Sequence, residues 1–183
     1  TTNAEILSLA DVTSSTFYNI FSSKDGVLLE LADFMFENQF SSAEQIVGKD
    51  VSPVMVYAAE TALQLTLTEL NENLREIYLE AYSHPNIAEY IYRSTANKLY
   101  RIFSPYLPEC TVDDFYELEL GSAGIMRGYM SRPCDEKFTL EKKLERFIRM
   151  SLGAYNVPAA EQERALKYVL GMDIVSVANA VMQ

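Results

Sequence analysis

Apolar residues along this chain recur every three to four positions, the spacing that lines one face of an α-helix. Val, Ile and Thr do not gather into the alternating runs that mark strands, so an all-α fold is predicted. Helix-breaking clusters fall at 48–53, 71–73, 84–85, 105–111, 132–135 and 156–158. Between them the pattern predicts two short helices at 3–10 and 14–21 and a long apolar one over about 24–40. Further helices are predicted at 53–70, 74–83, 86–104, 112–132, 139–156 and 159–181. The expected division is a head with its connecting helix over 1–44 and a helical ligand-binding and dimerisation domain over 45–183.

The first forty residues carry the most specific local pattern. Ile6, Leu7 and Ala10 lie at helical spacing, Asp11 tolerates a left-handed turn, and Thr13 is a good N-cap. The second short helix is expected to turn Phe17, Ile20 and Phe21 inward. Two short helices joined by a tight turn make a helix-turn-helix, whose second helix can enter a DNA major groove. Its polar face holds Ser14, Ser15, Thr16 and Asn19. Ser and Thr hydrogen-bond bases or phosphates and Asn reads adenine, although polar caps on a solvated surface would look the same.

This stretch, with Thr16-Phe17-Tyr18, Phe21 and Ser23-Lys24 as its core, resembles the head of the tetracycline-repressor family of transcriptional regulators. The likeness covers roughly residues 1–40. Asp11 stands where that family usually has Gly, Ser15 replaces another frequent Gly, and the chain starts at what looks like the family's second helix. The resemblance implies DNA contacts from Thr13 through Asn19, with the Tyr18 hydroxyl and Lys24 on phosphates. It also implies a homodimer that binds double-stranded operator DNA and is released from it by a small-molecule effector.

Charge works against a broad nucleic-acid surface. The chain holds 15 Lys and Arg against 26 Asp and Glu, a net charge of -11, so any DNA contact has to be local. Lys24 is the only base in residues 1–44, against seven acids, four of which (Glu30, Asp33, Glu37 and Glu44) lie on or beyond the connecting helix. No run of eighteen apolar residues and no secretory leader pattern is present, and Cys110 and Cys134 are read as reduced thiols, so a cytoplasmic protein without membrane contact is expected.

Within the body, Gly121, Gly124 and Gly128 share one side of a helix at a cost of roughly 1 kcal/mol each against Ala. Close approach by a partner helix or a ligand would explain them, as would packing within the chain. Leu144, Phe147, Ile148 and Ser151 form an apolar stripe on the next helix, and the two faces together are expected to make the dimer interface. Nine of 12 tyrosines fall between Tyr57 and Tyr129. Tyr57, Thr61, Tyr78, Tyr82, Tyr92 and Tyr100 are the candidate lining of a pocket for a moderately apolar, neutral or cationic effector. His84, the single histidine, precedes Pro85 and reads as a helix-cap or surface residue. No catalytic set, phosphate loop or metal-ligand spacing is visible, so neither enzyme activity, cofactor nor metal is expected. The competing expectation is a similar helical dimer that binds a small molecule or protein without binding an operator.

Overall fold

The computed structural model describes residues 2–21, 23, 25–33, 48 and 51–182. Every regular element among them is helical: α1 (Asn3–Ala10), α2 (Ser14–Phe21), α3 (25–33), α4 (Pro53–Leu70), α5 (Glu72–Ser83), α6 (Pro85–Phe103), α7 (Val112–Ser131), α8 (Leu140–Ala154), α9 (Ala159–Leu170) and α10 (Ile174–Val181). None of the described helices is long and apolar enough to cross a membrane. The proposed phosphate contact Lys24 and the 34–40 end of the expected connecting helix lie outside the described residues.

α4 is the axis of the structure. Ser52 caps it by accepting the Met55 amide proton, and Pro53 occupies its first turn, where a missing N–H costs nothing. Its residues from Tyr57 to Thr68 are all buried, because α5 through α10 each pack against it. A helix wrapped on every side must hide polar groups as well as apolar ones. Its threonines do so by donating back to their own helix: Thr61 to the Tyr57 carbonyl at 2.9 Å, Thr66 to Ala62 at 2.7 Å and Thr68 to Leu65 at 3.0 Å.

Asn71 ends α4 and caps α5 through the Leu74 amide at 3.1 Å, which sets the corner between them. The helix expected over 159–181 is two. α9 stops at Gly171, and Asp173 opens α10 by accepting the Ser176 amide proton at 3.2 Å. A cap that satisfies a new set of N–H groups outweighs continuation of one apolar period.

The segment between α7 and α8 is fastened to α4 by a buried ammonium. Lys143 Nζ donates to Glu69 Oε2 and to the Arg132 carbonyl, both at 2.7 Å, while the Cys134 amide donates to Glu69 Oε1 at 2.8 Å. Burial would raise the Glu69 carboxyl, but these bonds outweigh it and hold the group below its usual range. Lys143 is 1% exposed, so Lys143→Met is expected to lower stability by about 2–3 kcal/mol, since Glu69 and the Arg132 carbonyl lose their donor. Urea unfolding followed by far-UV circular dichroism measures this, and a loss under 0.5 kcal/mol would contradict the assigned role of the ammonium.

The N-terminal helices are thinly packed. α1 has no buried residue, and in α2 only Phe17 is buried, meeting Tyr18 edge-on and Phe21 at a tilt. Ile20, expected inside, is 65% exposed. One side of so short a helix covers little, and Phe17 and Phe21, four apart, already occupy it. Gly26 fits the corner into α3, where a Cβ would meet the Phe21 carbonyl oxygen at 1.9 Å. α3 packs on the core through Ala32, Leu28 and Leu29, and two polar contacts add to this among the described residues: His84 Nε2 lies 3.3 Å from Asp25 Oδ2, and the Tyr90 hydroxyl donates to Asp33. His84 sits at the α5–α6 junction but makes no side-chain cap; its ring is turned to Asp25 instead.

Candidate functional site

Chemistry concentrates in a cavity of about 40 Å³ beside α4. α4 supplies Tyr57, Glu60, Thr61 and Gln64, spaced by three and four so that one helix face carries all of them. α7 supplies Glu119, Ser122, Ala123 and Met126 by the same rule, and Tyr82, Thr95 and Phe147 close the wall from α5, α6 and α8. By the usual measure this holds about three waters, well short of the roughly 300–1,000 Å³ of a drug-sized site.

Two carboxyl groups meet in this small space. Glu60 is 4% exposed and Glu119 5%. Burial pushes Glu60 up to about 8; Lys98 on α6 draws it partly back and Glu119 pushes it further. Burial likewise pushes Glu119 up to about 7, against the hydrogen bond that the Ser122 hydroxyl donates to it and against the nearby Tyr155 hydroxyl. Tyr155 in turn donates to Ser122 Oγ at 2.8 Å. The influences that favour the Glu119 carboxylate are thus hydroxyls, whereas Glu60 has a lysine that does not line the cavity. Gln64 is 3% exposed, and its Nε2 has no hydrogen-bond partner among the described residues. Burial raises the Tyr57, Tyr82 and Tyr155 hydroxyls well above their ordinary value, so they stay protonated and act as neutral hydrogen-bonding groups.

Of the residues expected to line a pocket, Tyr57, Thr61 and Tyr82 do so. Tyr78 is buried but lies off the cavity, Tyr92 stacks on Tyr82 at 6.4 Å behind the wall, and Tyr100 is 37% exposed, edge-on to Phe115. Glu60, Gln64 and Glu119 were not anticipated. Their signal was position on the buried face of α4 and α7 rather than residue type.

The expected dimer face separates into two opposite surfaces. Leu144, Phe147, Ile148 and Ser151 are all at most 2% exposed within a single chain, so this stripe belongs to the chain's own core and has nothing left to offer a second copy. α8 turns this side toward α4 and α7 because its charged residues, Glu141, Lys142 and Arg146, need the opposite one. Gly121, Gly124 and Gly128 do face outward, and a Cβ added at any of them would meet nothing within 4 Å.

At the N-terminal end, Asp11 adopts φ 51°, ψ 45°, a left-handed turn that Gly enters most readily and that Asp tolerates. Thr13 Oγ1 accepts the Thr16 amide proton at 3.2 Å and so opens α2. Thr13, Ser14, Ser15, Thr16, Tyr18 and Asn19 are all exposed, and the Tyr18 hydroxyl accepts a hydrogen bond from Asn3 Nδ2 at 3.1 Å.

The architecture defines an all-helical protein with an acidic, aromatic-walled cavity against its central helix. No family model, no curated protein and no solved structure matches the chain.

Proposed function

We propose that the chain is a ligand-responsive, DNA-binding transcriptional regulator of the tetracycline-repressor type, released from its operator by a small molecule. The observation that carries this reading is the outward polar run from Thr13 to Asn19, set on a short helix directly after the left-handed turn at Asp11. A row of exposed hydrogen-bonding side chains on a helix narrow enough for a major groove suits base and phosphate contact. α1 and α2 would form the helix-turn-helix, Tyr18 and Lys24 would hold phosphates, and Asn19 would read a base. The protein would act as a homodimer, placing two such helices on successive grooves, with the outward glycine side of α7 as the remaining candidate interface.

Binding of the protein to duplex DNA from upstream of its own gene tests the reading. Selective binding at low salt is expected, with a shallow salt dependence. Each phosphate held by Lys contributes about 0.9 to the log–log slope, so Lys24 from two subunits gives roughly 2. Asn19→Ala is expected to relax preference at one base pair per half-site, at about 1–3 kcal/mol, whereas Lys24→Ala weakens all sequences alike. The acid excess over residues 1–44 favours a second reading, a helical dimer that binds its ligand without DNA. Absence of any sequence-selective duplex binding at low salt would establish that second reading over the first.

A further inference from the structure

We infer that the cavity beside α4 is a binding site for a small primary ammonium compound that also carries an oxygen acceptor, such as a short amino alcohol. This rests on the regulator reading, in which a small effector binds the chain, and adds the site and the chemical class of that effector. Glu60 from α4 and Glu119 from α7 line the space, and no Lys or Arg among the described residues does. An ammonium group supplies the charge that the wall lacks, in a setting where charge-assisted hydrogen bonds are strongest. The rings of Tyr57, Tyr82 and Phe147 line the same space and give the wall an aromatic character that tolerates a cation.

Gln64 gives the second, independent indication. Its Nε2 is a buried donor without a partner on a wall of the cavity. A buried donor left unmade is unfavourable, and an acceptor oxygen on the ligand would satisfy it. Two carboxyl groups and an amide donor lining one small space therefore select a molecule with an ammonium and an oxygen. The cavity's 40 Å³ restricts the ligand to about four non-hydrogen atoms without rearrangement.

Ionisation of the site is coupled to occupancy. Around Glu60 and Glu119 stand Lys98 on α6, Tyr78 and Tyr82 on α5, Tyr57 on α4 and Tyr155 after α8, and burial keeps Glu60 mostly protonated and Glu119 about half protonated at neutral pH. An entering ammonium stabilises the carboxylate, and the displaced proton passes to solvent. Binding of a cation should release a proton and tighten by up to about tenfold per pH unit between pH 6 and 8.

The test uses the full chain and four small probes at millimolar concentration, because so few atoms limit affinity to the high-micromolar range or weaker. Ethanolamine is expected to bind by calorimetry, with a proton release that shows as a difference between Tris and phosphate buffers. Ethylene glycol, of the same size but uncharged, is expected not to bind, and propylamine, without the oxygen, is expected to bind about tenfold more weakly. Glu119→Gln and Glu60→Gln should each weaken ethanolamine about tenfold or more, and Gln64→Leu should bring ethanolamine down to the level of propylamine. Near-UV circular dichroism checks that each variant keeps its tyrosine packing, and should a carboxyl variant fail this check, the probe series on the unmodified chain decides alone. Equal binding of ethylene glycol and ethanolamine, or equal competition by potassium chloride, would overturn the inference. Duplex binding is measured in parallel on the same preparation. Selective duplex binding with no ethanolamine binding overturns the ligand assignment alone, and ethanolamine binding with no duplex binding overturns the regulator reading alone.

Discussion

Raising the pH from 5 to 8 is expected to destabilise the folded protein by several kcal/mol, with stability greatest near pH 5. Glu60 and Glu119 are responsible. Their carboxyls sit at about 8 and about 7 in the folded chain, against 4.5 for an ordinary glutamate. Over that interval the folded form binds more protons than the unfolded form, so unfolding releases protons and becomes easier as pH rises. Their contribution is fully present below about pH 4.5 and is lost as pH climbs through 7 and 8. Each carboxyl held protonated contributes about 1.4 kcal/mol per pH unit, on the order of 3–5 kcal/mol for Glu60 alone. Asp114, Asp135, Glu163 and Asp173 are shifted down by hydrogen bonds, so their effect has the opposite sign and falls below this window. Guanidinium unfolding at pH 5, 6, 7 and 8 measures the slope. Glu60→Gln should remove its larger part and be more stable than the parent at pH 8, and an unchanged slope in that variant would refute the assignment to Glu60.

Phe103→Ala is expected to cost about 3–5 kcal/mol, a large fraction of the stability of a typical domain. Phe103 is fully buried, stacks on Tyr155 with centroids 4.4 Å apart and planes 8° from parallel, and meets Tyr57 edge-on at 5.0 Å. Phe115 stacks near Tyr155 at 6.2 Å. Side chains from α4, α6, α7 and the end of α8 therefore meet in one aromatic cluster, and none of them can move into the space the ring leaves without abandoning another contact. Phe103→Leu should recover more than half of the loss. Both are read from denaturant midpoints at pH 5, and a cost under 1.5 kcal/mol for the alanine would show that the cluster closes over the gap.

How much the sequence disclosed depended on whether a residue's surroundings are local. α4 has the bounds its pattern predicts because Ser52, Pro53 and Asn71 act within one turn of themselves. Helices α5 to α8 differ from expectation by two residues or fewer at either end, where fraying makes any boundary soft. The break at Gly171–Asp173 was missed because apolar spacing continues across it, whereas the cap that wins is a single aspartate. Leu144, Phe147, Ile148 and Ser151 were legible as one face, but a period cannot say what that face meets. Glu60 and Glu119 were hidden for the same reason: in so acidic a chain a glutamate on a helix reads as solvated until the packing of α5–α10 around α4 is known. Of the tyrosines expected at the cavity only Tyr57 and Tyr82 line it, because a ring with one polar tip suits a partly wet interior at many positions.

The contacts from α3 to His84 and Tyr90 have a mechanical consequence. Asp25 and Asp33 are eight residues apart on one helix, about 12 Å along its axis. One pin leaves a rod free to swivel, while two pins that far apart fix its bearing. Since both lie at the start of α6, and Ala32, Leu28 and Leu29 seat the same helix on the core, a tilt of that end of α6 is carried into α3.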